Sequence, residues 1–349
     1  VCIVRYGWIC RVPHFSLYEK REKIMKVEEM ERLANLNPFT SVVHSFPVYE
    51  GDGLLLGVKN DFHIHSSFIQ SLVDSRNYQL HTIDVMAKGG RAIDLQLMNP
   101  ITGNYMSGSS SGTAINVFLG MNDIGIGSDG GGSVLAPAMS LNLFGFISYL
   151  IDKENMNLYS KVSTDDIRFR PSLGYIAKDF EVLKEIVKVT VPLENDSSVH
   201  KIVISSIDSS NYPFEVERID FPDIYGDRKE NIQFLEQVLP TVDFLISKEG
   251  PVDVEGFGDS VFGHFDERTK QIQRKAKKGL LRVANMVGAT AISIPTDELG
   301  VSYLGICESI PSKIAVMIGK MEKLVIPQDE LIESYFRNSE TWFRKGYGE

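Results

Sequence analysis

The chain has 349 residues, a length that suits two ordinary domains or one large α/β unit. Apolar residues make up 43% and charged residues 23%, which is typical of a globular protein and excludes disordered, collagen-like and coiled-coil chains. The formal net charge of −10 gives no general attraction to nucleic acid or to anionic membranes, so neither is expected as a partner.

Taken in chain order, the first predicted element is a helix. Residues 20–35 place apolar side chains at helical spacing among charges, and residues 1–40 are expected to form an N-terminal helical segment. Short β-branched or leucine-rich runs then predict strands at 41–48, 54–58, 201–206, 244–247, 290–294 and 301–306. Helical patterns alternate with the later strands at 227–238, 267–286, 311–323 and 330–344.

This alternation predicts an α/β fold with a largely buried sheet. The sequence contains no internal repeat, low-complexity tract or linker-like stretch. Residues 1–349 are therefore expected to form one domain.

Cysteine use and hydropathy indicate the compartment. Cys2, Cys10 and Cys307 are too few and too far apart for a disulfide framework or a four-cysteine zinc site. Residues 134–151 are the nearest candidate for a membrane span, but proline, asparagine and serine interrupt them, which predicts a buried core segment. The apolar run 1–10 lacks a signal-peptide cleavage site. These features predict a cytoplasmic protein.

Glycine and serine cluster between residues 104 and 132, where two general motifs match formally. Gly125–Gly130 (GIGSDG) fits the dinucleotide-binding pattern, but the glycines continue beyond it, so a glycine loop is favoured over a cofactor site. Gly108–Gly112 (GSSSG) fits the nucleophile elbow of α/β-hydrolases, with Ser110 as nucleophile. The residues before it are turn-like, whereas an elbow needs a buried strand there.

Two other features also have alternative interpretations. His63 and His65 would lie on one face of a strand, a spacing that a metal site can use, but surface histidines are favoured and no metal or cofactor is expected. The basic residues from Lys270 to Arg282 could contact an acidic partner. Because apolar residues occupy the other helix face, a solvated basic face is favoured.

One combination of residues points to a reaction. Lys59 ends the apolar run GLLLGVK, Ser109 lies in SGSSSGTA, and Ser133 follows a glycine triplet in GIGSDGGGSVLAPA. Cleavage of an amide needs a nucleophile, a base and donors for the oxyanion. In the absence of a suitable histidine, a lysine held neutral by burial can accept the proton of a serine. Consecutive glycines leave several N–H groups free to point into one cavity.

These segments resemble the amidase signature family, hydrolases with a Ser-cisSer-Lys triad. The resemblance extends to FGF at 144–146 and more weakly to residues 171–183, 285–295 and 300–306. It implies a mixed central β-sheet covered by helices on both faces. It also implies a hydrolase of carbon–nitrogen bonds other than peptide bonds, which acts on a small carboxamide through an acyl-serine intermediate.

The resemblance also assigns roles to individual residues. It implies that Ser133 is the nucleophile, Lys59 the base, and Ser109 the bridging serine, joined to Gly108 by a cis peptide bond. It also implies that the oxyanion hole is formed by Gly130, Gly131 and Gly132. Ser110 and Asp129 are implied as supporting residues.

The sequence departs from the family pattern at several positions. Leu135 stands where arginine is usual, so Asp129 must find another partner. Asn60 precedes Asp61 where the family has the reverse order, and the chain is short for the family. These departures keep two alternatives open: a glutamine-hydrolysing component of an amidotransferase with a partner subunit, and a catalytically silent binding protein. The expected partner is a small-molecule amide, with a homo-oligomer possible.

Overall fold

The structure is a computed structural model that describes residues 27–49, 53–88, 91–163, 165–194 and 200–338. The predicted N-terminal helix is found as α1 (Val27–Leu36), which buries Met30, Leu33 and Ala34. The part of the predicted helix before residue 27, and the rest of the N-terminal segment, lie outside the described residues.

Eleven strands of the described residues form one sheet, and four more form two hairpins. The sheet strands are β1 (Val42–Ser45), β2 (Leu54–Lys59), β3 (Tyr78–Asp84), β6 (Ile124–Asp129), β7 (Phe144–Ser148), β10 (Ser172–Ala177), β11 (Ile202–Ser205), β12 (Glu217–Ile219), β13 (Phe244–Glu249), β14 (Ala289–Pro295) and β15 (Ser302–Glu308). The hairpin strands are β4 (Ile93–Met98) with β5 (Tyr105–Ser107), and β8 (Lys161–Val162) with β9 (Arg168–Phe169).

The sheet order is β1-β3-β2-β6-β10-β7-β14-β15-β13-β11-β12. Strand β2 runs parallel to β3 and β6, whereas β10 runs antiparallel to β6 and β7. All residues of β2, β6, β7, β10 and β14 are buried, as expected of strands that are covered on both faces. The predicted mixed α/β sheet is therefore confirmed.

Helices cover both faces of this sheet. The helices after α1 are α2 (Ser66–Asp74), α3 (Ser111–Phe118), α4 (Leu135–Ser140), α5 (Lys153–Met156), α6 (Phe180–Thr190), α7 (Arg228–Val238), α8 (Glu267–Lys275) and α9 (Pro311–Met321). Of these, α8 buries none of its residues and does not contribute to the covering of the sheet. Apolar residues of α3 and α4 form one core with Ile147 of β7, while those of α6 and α9 form a second core with Phe146 of the same strand. Because successive strand residues point to opposite faces, the two cores lie on opposite sides of the sheet.

Two predicted helices differ from the structure. The helix predicted over 267–286 ends at Lys275, because Lys277 has a φ of +50°, and the chain resumes as a 3₁₀ turn at Leu280–Arg282. The helix predicted over 330–344 includes a π-helical turn at Ile332–Phe336, and its end lies outside the described residues. Within the described ranges, no helix combines the length and the apolar character needed to cross a bilayer.

Candidate active site

The site forms where β2 and β6 end. The two strands are parallel neighbours, so their carboxyl ends meet at one edge of the sheet. This arrangement brings Lys59, the last residue of β2, close to the loop after Asp129, the last residue of β6. That loop contains the glycine triplet and Ser133 and leads directly into α4.

The loop requires glycine at position 132. Gly132 has a φ of +93°, and a Cβ atom there would lie 2.4 Å from Leu281 Cδ1. By contrast, a Cβ at Gly131 would meet Met286 Cε at 3.4 Å, an ordinary van der Waals distance. The close approach of Leu281 to the loop explains one of the three glycines directly.

The Asp129 carboxylate binds two backbone amides of the loop. Its Oδ1 accepts a hydrogen bond from the N–H of Gly132 at 2.9 Å, and its Oδ2 accepts one from the N–H of Val134 at 2.6 Å. Burial raises the pKa of Asp129, and these two amides oppose that effect. Backbone amides are thus the partners that Asp129 needs in the absence of an arginine at Leu135. The Leu135 side chain is itself buried in the core.

Lys59 is almost fully buried, with 2% of its surface exposed. Its Nζ donates to Ser109 Oγ at 2.8 Å and to Ser128 Oγ at 2.8 Å, and it lies 3.1 Å from Asp61 Oδ2. Burial lowers the pKa of Lys59, and the Asp61 carboxylate opposes that shift. The lysine is therefore held between an environment that favours its neutral form and a partner that favours its charged form.

Asp61 connects Lys59 to two further groups that sequence analysis did not assign to the site. Its Oδ1 lies 2.5 Å from His63 Nδ1, and its Oδ2 accepts a hydrogen bond from Ser128 Oγ at 2.5 Å. Burial alone would raise the pKa of Asp61, but His63, Lys59 and Ser128 together lower it well below its usual range. The order Asn60–Asp61 thus puts a carboxylate where it contacts the lysine.

The prediction of a cis peptide bond between Gly108 and Ser109 is wrong for this structure. Among the described residues, the only cis peptide bond joins Gly250 to Pro251. A trans bond is the lower-energy form for a non-proline residue. The chain turns at Gly108 through a φ of +91° instead, where a Cβ would lie 2.5 Å from Pro137 Cδ. Ser109 Oγ still reaches Lys59 from this backbone.

Ser133 lies close to this pair but is not joined to it. Its carbonyl accepts a hydrogen bond from the N–H of Ser110 at 3.2 Å. Within the described part of the chain, no hydrogen bond links the hydroxyls of Ser109 and Ser133. Ser133 is half-buried and lines a cavity of about 400 Å³. Hydrogen bonds between catalytic groups are often long before substrate binds.

Ser110 does not face this cavity. Its side chain is fully buried, and its hydroxyl has no hydrogen-bond partner among the described residues. The dinucleotide-like segment Gly125–Gly130 also has a different role, because its first two glycines, Gly125 and Gly127, lie within β6 rather than after the end of the strand. The geometry therefore favours neither an elbow nucleophile at Ser110 nor a cofactor loop.

The described residues provide no group of three or more His, Cys, Asp or Glu side chains that could hold a metal ion. The expectation of a surface histidine is wrong for His63, which is buried and binds Asp61. His65 instead caps helix α2 by accepting from the N–H of Ser67.

Cationic side chains surround the cavity. The described residues that line it include five basic residues and two acidic ones, namely Arg228, Lys270, Arg274, Lys278 and Arg282, and Asp165 and Asp227. The prediction of a solvated basic face holds for the exposed Lys275 but is wrong for Lys278 and Arg282. Both follow the end of α8, so they leave the helix face and turn toward Ser133.

Comparison with known sequences gives a local match. The sequence model of the Amidase family matches residues 93–148. Amidase 1 from Oryza sativa subsp. japonica is 31% identical over 96 residues, which are 27% of this chain and 20% of that protein. The segment matched by the family model contains Ser109 and Ser133. The 96 residues aligned with Amidase 1 span about a fifth of the length of that relative.

Comparison with solved structures extends over most of the chain. One subunit of the glutamyl-tRNA(Gln) amidotransferase from Thermotoga maritima has a TM-score of 0.61 at 16% identity, with 90% of this chain and 96% of that chain covered. Allophanate hydrolase from Kluyveromyces lactis also gives 0.61, at 12% identity, covering 90% of this chain and 72% of that one. The chain thus has the amidase signature fold, and its resemblance to that family is confirmed.

Proposed function

We propose that this chain hydrolyses a small amide through an acyl-serine intermediate on Ser133. The observation that carries the proposal is the 2.8 Å contact between the buried Lys59 Nζ and Ser109 Oγ, beside the glycine loop that presents Ser133 to a cavity. A buried lysine at a serine hydroxyl is a costly arrangement that serves proton transfer.

The reaction starts with two proton transfers. Neutral Lys59 takes the proton of Ser109, Ser109 takes that of Ser133, and Ser133 Oγ attacks the amide carbonyl. For this relay the Ser109 and Ser133 hydroxyls must come within hydrogen-bond distance when substrate binds. The proton returns through Ser109 to the leaving amine, and water then hydrolyses the acyl ester.

The negative charge that develops on the carbonyl oxygen needs N–H donors. Because Asp129 engages the N–H of Gly132, the donors that we assign to the oxyanion are those of Gly130, Gly131 and Ser133. Gly132 contributes the backbone turn that directs them. Asp129 thereby supports the oxyanion hole without touching the substrate.

Labelling with an active-site fluorophosphonate tests the nucleophile. We expect stoichiometric labelling of Ser133, and a loss of amide turnover by several orders of magnitude in Ser133→Ala. Ser110→Ala is the matched control, and it should keep at least a tenth of the activity because the Ser110 hydroxyl is buried and has no hydrogen-bond partner among the described residues. Labelling of Ser110 instead of Ser133 would contradict the proposal. If no serine were labelled, the proposal would also fail, and a catalytically silent binding protein would be favoured.

A glutamine-hydrolysing component of an amidotransferase is the second candidate. The fold shared with the Thermotoga maritima amidotransferase favours it. The two candidates differ in their need for a partner. Ammonia release from small carboxamides by the purified chain alone would support the stand-alone hydrolase, whereas activity that appears only with a co-purifying partner protein would support the amidotransferase.

A further inference from the structure

Lys278 is a second buried lysine at the cavity, and the proposed reaction does not use it. Its surface is 8% exposed, and it lines the same cavity as Ser133. A Cβ at Gly258 would lie 2.8 Å from Lys278 Nζ, so the missing side chain at Gly258 provides the space that the ammonium occupies.

The surroundings of the Lys278 ammonium leave it without close anionic compensation in the described part of the chain. The Gly258 carbonyl accepts a long hydrogen bond from Nζ at 3.4 Å. Among the described residues, no carboxylate lies within ion-pair distance of Nζ, and the nearby Asp259 pairs with Arg91. Burial lowers the pKa of Lys278, while Asp253 and Asp259 oppose this from a distance. A buried charge without a partner is costly, and a bound anion would offset that cost.

Arg282 adds a second positive charge beside the cavity, and its Nε and Nη2 groups bind backbone carbonyls. Its guanidinium donates to the carbonyls of Gly279 at 3.2 Å, Ile224 at 3.0 Å and Gly226 at 3.2 Å. Arg228 pairs with Asp165. Lys278 is therefore the buried lysine of the cavity whose donors are available, and Arg282 strengthens the local positive potential.

We propose that the amide substrate carries a carboxylate, which binds Lys278 while the amide carbonyl reaches Ser133. The inference rests on the proposed function, because it names a substrate class for that site. One available ammonium suits a singly charged carboxylate better than a phosphate, whose oxygens usually take several cationic donors. A cavity of about 400 Å³ is small and fits the monoamide of a short dicarboxylic acid.

The contrast between the cavity and the whole molecule supports this class. The chain has a net charge of −10, which repels anions in general, yet basic side chains dominate the cavity lining. Clefts lined by one sign of charge concentrate ligands of the opposite sign. In binding, a neutral amide gains less from this arrangement than an anionic one.

The test compares succinamate and glutaramate with the uncharged diamides of the same two acids, by ammonia release. For the better chain length, we expect wild-type kcat/KM to favour the carboxylated amide by roughly 10- to 100-fold, the range of one buried charge-assisted contact. Lys278→Met should bring that ratio close to one, and Lys278→Arg should keep part of it. The matched control is Lys275→Met, which replaces an exposed lysine outside the cavity and should keep the wild-type ratio.

Labelling of Ser133 by the fluorophosphonate, together with thermal unfolding, verifies that each variant keeps an intact site. If the diamides are cleaved as fast as the monoamides, or if Lys278→Met keeps the wild-type ratio, the inference is overturned while the hydrolase stands. If none of the four amides is cleaved, fluorophosphonate labelling of Ser133 decides the hydrolase, and calorimetric binding of succinate and glutarate decides the inference. Binding that disappears in Lys278→Met supports it, and no binding overturns it.

Discussion

At the scale of single residues, the chemistry depends on the protonation of Lys59. The proposed base must lose its proton before it can accept one from Ser109. Burial lowers its pKa, and the contact with Asp61 limits that effect. Activity should therefore rise with pH as Lys59 becomes neutral and should level off on the neutral-to-alkaline side.

Substitutions at Lys59 and Asp61 test this dependence. Arginine keeps the charge but cannot act as a base, so Lys59→Arg and Lys59→Ala should both be nearly inactive. Asp61→Asn removes the carboxylate that favours the charged lysine, so the ascending limb of kcat/KM should move to lower pH. Profiles of kcat/KM against pH measure both effects. An active arginine variant with an unchanged profile would show that Lys59 supplies charge only.

Leu135 stands where an arginine would be expected to pair with the buried Asp129 carboxylate. Because the amides of Gly132 and Val134 already bind Asp129, an arginine at position 135 would bring an unpaired charge into the core. Leu135→Arg should lower the free energy of unfolding by roughly 3 kcal/mol or more. Leu135→Met should cost less than about 1.5 kcal/mol. Denaturant titration of both variants measures the difference, and a stable arginine variant would mean that Asp129 can still accept this partner.

The three residues of the proposed triad lie in short motifs that the sequence alone reveals, whereas the residues around them could not be predicted. Ser128 and Lys59 are 69 positions apart, and only the parallel pairing of β2 with β6 brings them into contact. Asp61 was visible only as a departure from the family pattern. Lys278 looked like part of a solvated helix face, because a helical period continues through a position where the backbone in fact leaves the helix.

At the scale of elements, the loop between β6 and α4 depends on its different glycines to different degrees. Gly132→Ala would place a Cβ against Leu281 at a positive φ, and it should destabilise the protein by roughly 1 to 3 kcal/mol. Gly131→Ala meets only ordinary contacts and should leave thermal unfolding close to that of the wild type. Scanning calorimetry compares the two. If both variants lost the same amount of thermal stability, the contact with Leu281 would not be what distinguishes the two positions.

The elements themselves follow the sequence pattern except where a distant residue decides. The strand predicted at 54–58 is found at Leu54–Lys59 because its apolar run fills a doubly covered position in the sheet. The helix predicted through residue 286 fails because the backbone turns at Lys277. Beyond this turn the Glu249 carboxylate, more than 30 positions away, accepts the N–H groups of Leu280 and Leu281. Local periodicity cannot reveal a partner that tertiary structure supplies.

At the scale of the whole molecule, two buried carboxyls couple stability to pH. Burial raises the pKa of Asp84 to about 6 and that of Glu249 to about 7. A carboxyl whose folded pKa is raised binds its proton more tightly in the fold than in the unfolded chain. Its contribution is therefore complete below the unfolded pKa, near 4, and is lost as pH rises through 6 to 7. Lys59 and Lys278, whose pKa values burial lowers, contribute the opposite slope.

Because of these opposite slopes, the difference between wild type and a variant measures one carboxyl more directly than the wild-type profile does. Asp84→Asn keeps a neutral side chain at all pH values, so the wild type should lose about 3 kcal/mol of unfolding free energy relative to this variant between pH 4 and pH 8, since each pKa unit corresponds to about 1.4 kcal/mol. Asp74→Asn, at an exposed position, should follow the wild type throughout. Urea titrations at several pH values provide the measurement. A constant difference between wild type and Asp84→Asn would mean that Asp84 stays charged in the fold. Activity should rise with pH as Lys59 becomes neutral, so alkaline conditions should favour the reaction while they remove the contribution of Asp84 and Glu249 to stability.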